Sequence, residues 1–365
     1  MSKDNIPAIV VGTGFGCRIQ VPALRAAGFF VEALVGADPT RTAERAGASG
    51  VPRSFTDLET AIERTGAALV AISTPPLTHA DLVFAALRKG CHVLCEKPFA
   101  RDASEAQLLL DAANTSGRIH ALGNEFRFTP QRATIARCIA EGLIGEPRFA
   151  SLVQVSGFVT QFREDFPDWW FDPVQGGGWL GASGSHSIDQ IRLWLGEFDT
   201  ISASISTTGL KDTAVDDSFA ARFRLKSGVE GVLQQSCGAW GGMTEITRVA
   251  GTEGSIWLET GQIRFADRCG EREIPVPPDL ALAPPPALGG DPRQSRLDWQ
   301  IMAEVEIAPY TELCRSLSAG ISGQQPASSV PMATFADGVA NMQVMDAVRA
   351  SAQDGGGLVA VASTN

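Results

Sequence analysis

Glu96-Lys97-Pro98 closes the apolar run His92 to Cys95 and sets a primary amine at the end of a strand. Upstream, Gly12-Thr13-Gly14-Phe15-Gly16 follows the short apolar strand Ala8 to Val11 and precedes Arg18 to Ala27, which reads as a helix. Strand, tight glycine turn and helix in that order make a dinucleotide loop, whose helical N–H groups receive a pyrophosphate. Counting G-x-G-x-x-G from Gly12 puts Cys17 where the third glycine belongs, and Cys is small enough for close helix–strand packing. In doubly wound sheets ligands lie outside the carboxyl ends of the strands, so Lys97 points toward the place of a nicotinamide. An amine there is an acid/base: desolvation and a positive ring nearby favour its neutral form. The competing reading is a surface salt bridge with Glu96.

The elements that must position these groups alternate over the first 125 residues. A strand at Phe30 to Val35 is followed by a helix near Thr40 to Ala46, a helix opened by Thr56 with Glu59 as a capping box, and a buried strand at Ala68 to Ser73. Thr74-Pro75-Pro76 ends that strand. A helix over His79 to Lys89 stops at Gly90, the strand carrying Lys97 follows, and a helix over Ser104 to Thr115 leads to a last strand, Ala121 to Asn124. These are two βαβ halves, a Rossmann doubly wound parallel sheet over residues 1–125. Residues 126–365 change character: a helix from Thr129-Pro130 to Gly142 precedes strands at Arg148 to Val159, Ile201 to Thr207, Phe219 to Leu225, Glu230 to Gln235 and Ile246 to Ala250. They form an α+β domain with a large, mostly antiparallel open sheet. The proline-rich stretch Pro275 to Pro292 reads as a long loop. Ala333 to Ala350 reads as a helix with Phe335, Val339, Met342, Met345 and Val348 on one face.

Composition narrows the function classes. A chain of 365 residues with 44% hydrophobic content buries a sizeable core and suits two domains. A net charge of -11 without a Lys/Arg run argues against nucleic acid or an anionic membrane as partner and for a small molecule. No signal-peptide pattern opens the chain and no stretch approaches a membrane span. Seven cysteines without zinc-like pairs suggest reduced thiols in a cytoplasm and no metal site.

The glycine loop, Thr74-Pro75-Pro76 with His79, Glu96-Lys97-Pro98, Asn124 with Arg127-Phe128 and Pro130, and Gly184-Ser185-His186-Ser187-Ile188-Asp189 together resemble the Gfo/Idh/MocA oxidoreductases, named for glucose-fructose oxidoreductase and inositol dehydrogenase. The resemblance spans nearly the whole chain. It implies an NAD(P)-dependent dehydrogenase or reductase of sugars, polyols or related cyclic alcohols, and Lys97 as its acid/base. It also implies a final helix that packs back toward the first domain, and a homodimer or homotetramer associated through the open sheet face. Cofactor contacts are carried onto the glycine loop with Cys17, Ser73-Thr74-Pro75, His79, Glu96, Lys97 and Asn124. His186 falls where the resemblance puts an active-site histidine acting on the substrate oxygen, and Gly176-Gly177-Gly178 and Gly184 permit close approach to it. The family often has Asp four residues earlier, where this chain has Ala182. Asp189, three residues after His186, either takes over by holding hydroxyls or orienting the imidazole, or is a helix surface charge.

Substrate selection is expected within Gln161 to Gly178, where Phe162, Arg163, Asp165, Trp169 and Trp170 mix flat apolar faces with charged tips. The tryptophans either stack on a sugar or simply pack. Arg127 either holds a substrate or nicotinamide group or supports Glu96. For the coenzyme, the ribose-binding acid expected at the end of the second strand is replaced by Gly36, followed by Ala37. Asp38 before Pro39 reads as an N-cap, leaving Arg41 to meet a 2′-phosphate or simply to face solvent, a slight lean to NADP over NAD. A short-chain dehydrogenase is disfavoured because the sole tyrosine, Tyr310, lacks a lysine four residues on. A dinucleotide-dependent glycosidase of the same fold and a non-catalytic dinucleotide-binding regulator remain the alternatives.

Overall fold

The computed structural model describes residues 6–209, 213–285 and 299–362, with the side chains of 162, 165 and 299–302 left aside. The chain forms two compact units, Met1–Phe128 with Leu282–Val339, and Thr129–Ala281 with Ala340–Asn365. The expected single cut after residue 125 captures the first crossing of the chain; the segment 282–339 belongs with the first unit.

The first unit is built on six parallel strands: β1 (Ile6–Val11), β2 (Phe29–Val35), β3 (Arg53–Phe55), β4 (Leu69–Ile72), β5 (His92–Cys95) and β6 (His120–Leu122). Their order, β3-β2-β1-β4-β5-β6, is that of a dinucleotide-binding doubly wound sheet. β1 and β4 are almost wholly buried apolar runs because helices cover both faces of a parallel sheet. The crossover helices start where short acids accept backbone N–H groups: Asp38 from Arg41, Asp57 from Thr60 and Asp102 from Glu105. The cap of the helix Leu58–Thr65 is therefore Asp57, one residue past the expected Thr56. Gly66 and Gly117 end their helices in the left-handed conformation.

A helix at Trp299–Ile321 also belongs to this unit and was not expected. Ala303, Ile307, Tyr310, Cys314 and Leu317 recur at helical spacing and are fully buried against the same core as Ala8, Val10 and Leu24. Pro309 lies inside that helix, a breaker signal that tertiary packing overrides. Residues 286–298, which include the end of the proline-rich stretch, lie outside the described residues. Of the part that is described, Pro278–Leu280 forms a 3-10 turn.

The second unit carries nine strands: β7 (Pro147–Val155), β8 (Phe198–Ser206), β9 (Ser218–Leu225), β10 (Glu230–Ser236), β11 (Thr244–Gly251), β12 (Ser255–Glu259), β13 (Gln262–Asp267), β14 (Gly270–Ile274) and β15 (Val359–Ala360). Their order is β14-β13-β12-β11-β7-β10-β9-β8-β15, antiparallel except for β7 against β10. β9 shows the logic: Phe219, Ala221, Phe223 and Leu225 are buried while Ala220, Arg222 and Arg224 are exposed. The meander β12 to β14 extends the sheet beyond the strands expected. The helix Ser185–Leu195 lies on the buried face, where Gln235 Nε2 of β10 donates to Ser187 Oγ at 2.9 Å. The final helix, Phe335–Gln353, contributes its start to the first unit and the rest to the second. In the first unit the Phe335 ring lies 4.4 Å from Phe99. Among the described residues no helix is long and apolar enough to cross a membrane.

Candidate active site

The glycine loop leaves β1 at Gly12, whose φ of 113° suits glycine, and a Cβ there would stand 2.7 Å from the Ser73 carbonyl oxygen. Close helix–strand packing falls to Gly16 rather than to position 17. A Cβ on Gly16 would lie 2.5 Å from Ser73 Oγ and 2.7 Å from Val10 Cγ1. The helix opens with a π-turn over Gly16–Gln20. Cys17 is freed from the third-glycine role, and its Sγ donates to Thr13 O at 2.8 Å. Gly14 has open space where a Cβ would stand. Gly12 and Gly16 thus let the loop and its helix close on Ser73, while the open space over Gly14 fits the approach of a dinucleotide's pyrophosphate.

At the end of β2, Gly36 lies in close quarters. A Cβ there would meet Thr42 Oγ1 at 2.5 Å and Thr13 Cγ2 at 2.6 Å, so an acid at that point would require both threonines to move. Asp38 spends its carboxylate on the Arg41 N–H at 2.8 Å, as an N-cap. Ala37 and Arg41 are exposed. Arg45, which the sequence reading passed over, reaches back one helical turn further to donate to Thr13 O at 2.7 Å and Thr13 Oγ1 at 3.0 Å. Its only sequence signal was its place on the helix face of Arg41.

Past β4, Ser73 Oγ donates to Val11 O at 3.1 Å, and the Thr74-Pro75 turn follows. His79 is fully buried, with Nδ1 3.1 Å from Phe99 O and Nε2 2.8 Å from Thr74 O. Its ring therefore ties the Thr74 turn to the loop after Lys97 instead of presenting a nitrogen to a ligand. Burial pushes its ring below the usual histidine range. Asn124, just past β6, is 1% exposed, and neither polar atom of its side chain has a hydrogen-bond partner among the described residues. Leaving a buried amide unsatisfied costs about 1–3 kcal/mol, which suits a group reserved for a ligand.

Lys97 stands half-buried past the end of β5. Glu96 beside it is 6% exposed, so the carboxyl that faces the Lys97 charge is a buried one and not a surface group. Its Oε1 accepts from Tyr310 Oη at 2.6 Å and from Gln20 Nε2 at 3.1 Å, and its Oε2 from the Lys97 backbone N–H at 3.3 Å. Gly123 leaves the slot for this carboxyl, since a Cβ there would lie 2.8 Å from Oε1. Burial pushes Glu96 up to about 7, against the opposing effects of the Lys97 charge, Tyr310 and Gln20, with Glu306 adding to the rise. Glu125 is also buried and shares a hydrogen bond with Glu306; burial first, then the charges of Glu306 and Glu96, push it well above the ordinary carboxyl range. Arg127 makes an ion pair with Asp337 at 2.8 Å and donates to Pro331 O at 3.4 Å. These partners brace the turn Glu125–Phe128 against the first turn of the final helix and the segment just before it.

Folded-state values raised above the unfolded ones have a consequence for stability. Both carboxyls keep a proton in the folded state at pH values where the unfolded chain has lost it. That stabilisation is complete below the ordinary value of 4.5 and is lost as pH rises through about 7 for Glu96. The melting temperature is therefore expected to be higher at about pH 5 than at about pH 8, and Glu125→Gln is expected to flatten the slope. A thermal scan across pH in which Glu125→Gln keeps the full slope would remove Glu125 from this account.

In the second unit, Trp169 and Trp170 sit in the 3-10 turn Asp168–Phe171 and are partly buried. Trp170 packs 4.5 Å from Phe166 and 6.4 Å from Trp179, while Arg163 lies 5.0 Å over the Phe171 ring. The side chains of Phe162 and Asp165 lie outside the described residues. Gly177 and Gly178 admit close neighbours: a Cβ on Gly177 would stand 2.5 Å from Trp170 O, and one on Gly178 would stand within contact of Asp216. Asp216, not singled out in the sequence, then accepts from Leu180 N at 2.7 Å.

His186 follows a π-turn at Leu180–Gly184 and is 8% exposed. The wider turn changes the meaning of position 182, because a residue four before His186 no longer stacks over it as in a regular α-helix. Gly184 is needed for packing, since a Cβ there would lie 3.0 Å from the Phe219 ring. Asp189 is 2% exposed, which excludes a helix surface charge. Its Oδ1 accepts from Asn341 Nδ2 at 3.3 Å and lies 4.0 Å from Arg192 Nη1. Arg192 in turn donates to Asn341 Oδ1 at 3.0 Å and to Glu197 Oε1 at 2.7 Å. Asp189 thus anchors the His186 helix to the final helix. Lys97, Glu96, Asn124 and the glycine loop gather in the first unit, and His186, Asp189 and the tryptophans in the second.

Comparison with known proteins agrees with this geometry. The sequence profile described as the oxidoreductase family with NAD-binding Rossmann fold matches residues 6–124, and that of the GFO/IDH/MocA C-terminal domain matches residues 133–257. Levoglucosan dehydrogenase of Pseudarthrobacter phenanthrenivorans is 29% identical over 343 residues, covering 78% of this chain and 85% of its own. D-xylose 1-dehydrogenase (NADP(+)) 2 of Haloferax volcanii is 28% identical over 249 residues, covering 68% of this chain and 74% of its own. A solved structure of levoglucosan dehydrogenase in complex with NADH and levoglucosan superimposes with a TM-score of 0.82 at 26% identity, over 99% of this chain and 100% of that one. With both domain profiles matched in order on a glycine loop, a Glu-Lys-Pro strand end and a buried His helix, the chain belongs to the GFO/IDH/MocA family of NAD-binding oxidoreductases.

Proposed function

We propose that this protein oxidises a hydroxyl of a sugar, polyol or related cyclic alcohol, or reduces the corresponding carbonyl, with Lys97 as the acid/base. The observation that carries the reading is the half-buried Lys97 at the end of β5 beside the buried Glu96 carboxyl, in the sheet that bears the glycine loop. A bound nicotinamide coenzyme supplies the hydride acceptor or donor. Backbone N–H groups of the glycine loop beyond Gly12, whose own N–H donates to Val35 O at 2.9 Å, hold its phosphates, and the buried Asn124 amide takes a polar group of it. Lys97 takes the hydroxyl proton in oxidation and returns it in reduction. His186 acts on the substrate oxygen, and Trp169 with Arg163 selects the substrate. The names of the two dehydrogenase relatives, and the levoglucosan in the structural neighbour, support a sugar. The exposed Phe149 and Ile246 on the solvent face of the second-unit sheet support a homodimer or homotetramer formed through that face.

A screen of levoglucosan, pentoses, hexoses, polyols and dihydrodiols with both coenzymes, followed by the absorbance of the reduced nicotinamide, tests this reading. Hydrolysis products without net coenzyme reduction would replace it with a dinucleotide-dependent glycosidase.

The coenzyme reading is NADP. Position 36 is a glycine crowded by Thr13 and Thr42 and carries no ribose-binding acid, Asp38 is engaged as a cap, and the exposed Arg41 stands on the same helix as Arg45. The NADP named for the xylose enzyme favours this choice, and the NADH in the levoglucosan enzyme opposes it. Calorimetric titration is expected to give NADP(H) at least the affinity of NAD(H), and Arg41→Ala is expected to weaken NADP(H) alone by about tenfold. Strong NAD(H) selectivity would reverse the assignment.

A further inference from the structure

Tyr310 is the sole tyrosine of the chain, 0% exposed, on the helix Trp299–Ile321. A phenol that deep needs a partner for its O–H, and Tyr310 Oη donates to Glu96 Oε1 at 2.6 Å. The same Oη accepts from Gln20 Nε2 at 2.9 Å, which also reaches Glu96 Oε1 at 3.1 Å. Phe15 of the glycine loop sets its ring edge-on to Tyr310 at 5.9 Å. The hydroxyl therefore joins the glycine-loop helix, the long helix and the residue before Lys97.

We propose that Tyr310 and Gln20 are positioning residues that hold Glu96 as the counter-charge of Lys97 and so set the pH at which Lys97 becomes a neutral base. The inference rests on the acid/base reading of Lys97. Its sign follows from the donors. A hydroxyl that donates to a carboxyl favours the carboxylate, and a carboxylate beside an amine favours the ammonium. The groups around Glu96 are Lys97 and Cys95 on its own strand end, Tyr310, Cys314 and Glu306 on the long helix, and Glu125 on the turn after β6. Of these, Lys97 and Tyr310 favour ionised Glu96, and Glu306 opposes it. Burial holds Glu96 near neutrality, where small changes in its donors alter its charge most.

The test reads Lys97 directly in the coenzyme-free protein. Acetylation by acetic anhydride across pH, quantified at the Lys97 peptide by mass spectrometry, gives the midpoint at which the amine becomes reactive. Tyr310→Phe keeps the ring and removes the hydroxyl; it is expected to move that midpoint to lower pH by about one pH unit, and Glu96→Gln to move it the same way at least as far. Glu306→Gln removes an opposing charge and is expected to move it to higher pH, so the proposal is tested even where one variant folds poorly. The rising limb of the oxidation rate against pH is expected to move with the labelling midpoint, while coenzyme affinity stays within a few fold. A lower melting temperature with unmoved midpoints in Tyr310→Phe and Glu96→Gln would leave Tyr310 a packing residue and overturn the proposal. Shifted midpoints in a protein that oxidises no sugar or polyol would uphold the positioning role and discard the proposed reaction.

Discussion

Lys97→Met is expected to abolish turnover of any substrate found in the screen while leaving coenzyme affinity within a few fold. Methionine keeps an unbranched apolar stem, one atom shorter than lysine, and removes the group that exchanges the proton. Loss of a positioned acid/base costs on the order of a hundredfold to ten-thousandfold in rate. The phosphates are assigned to the glycine loop around Gly14, at a different point of the first unit, so binding and chemistry should separate cleanly. Calorimetry with the coenzyme and a stopped assay at high enzyme concentration measure the two independently. Near-normal turnover in Lys97→Met would end the acid/base assignment, and joint loss of binding and turnover would make Lys97 a coenzyme ligand first. The removal of a charge beside Glu96 is also expected to raise that carboxyl further, because the Lys97 charge is the largest effect opposing its burial.

His186→Ala should lower turnover by about a hundredfold or more, since it deletes the group assigned to the substrate oxygen. Asp189→Asn is expected to have a smaller kinetic effect, about tenfold, accompanied by a lower melting temperature. The difference comes from their partners. Asp189 is buried against Asn341 and Arg192, so removing its charge loosens the anchor of the Ser185–Leu195 helix that carries His186. Ala182→Asp should not rescue Asp189→Asn, because the π-turn at Leu180–Gly184 moves position 182 out of regular helical stacking over His186. Rates and melting curves on all three variants decide the matter. Normal turnover in His186→Ala together with Asp189→Asn would discharge the helix from catalysis and leave Lys97 acting with another group.

What the sequence determined by itself were features whose cause lies within a few residues. The apolar run Ala8 to Val11 against a glycine turn, the strand end at Glu96-Lys97-Pro98, the stop at Gly90 and the alternation along Phe219 to Leu225 all express backbone and side-chain preferences of one segment, and each became the element expected. Even there a local rule failed twice by one residue. Asp57 outcompeted Thr56 for the cap, and the close approach to Ser73 and Val10 falls at Gly16 instead of Cys17. Only the tertiary structure decided the charges around the site. Glu96 and Tyr310 are 214 residues apart, Gln20 and Tyr310 are 290 apart, and Asp189 and Asn341 are 152 apart. No periodicity or motif records such pairs. They exist because burying a carboxyl or an amide forces it to find a donor or acceptor in whatever segment the core brings beside it, and the free energy of that match belongs to the assembled fold.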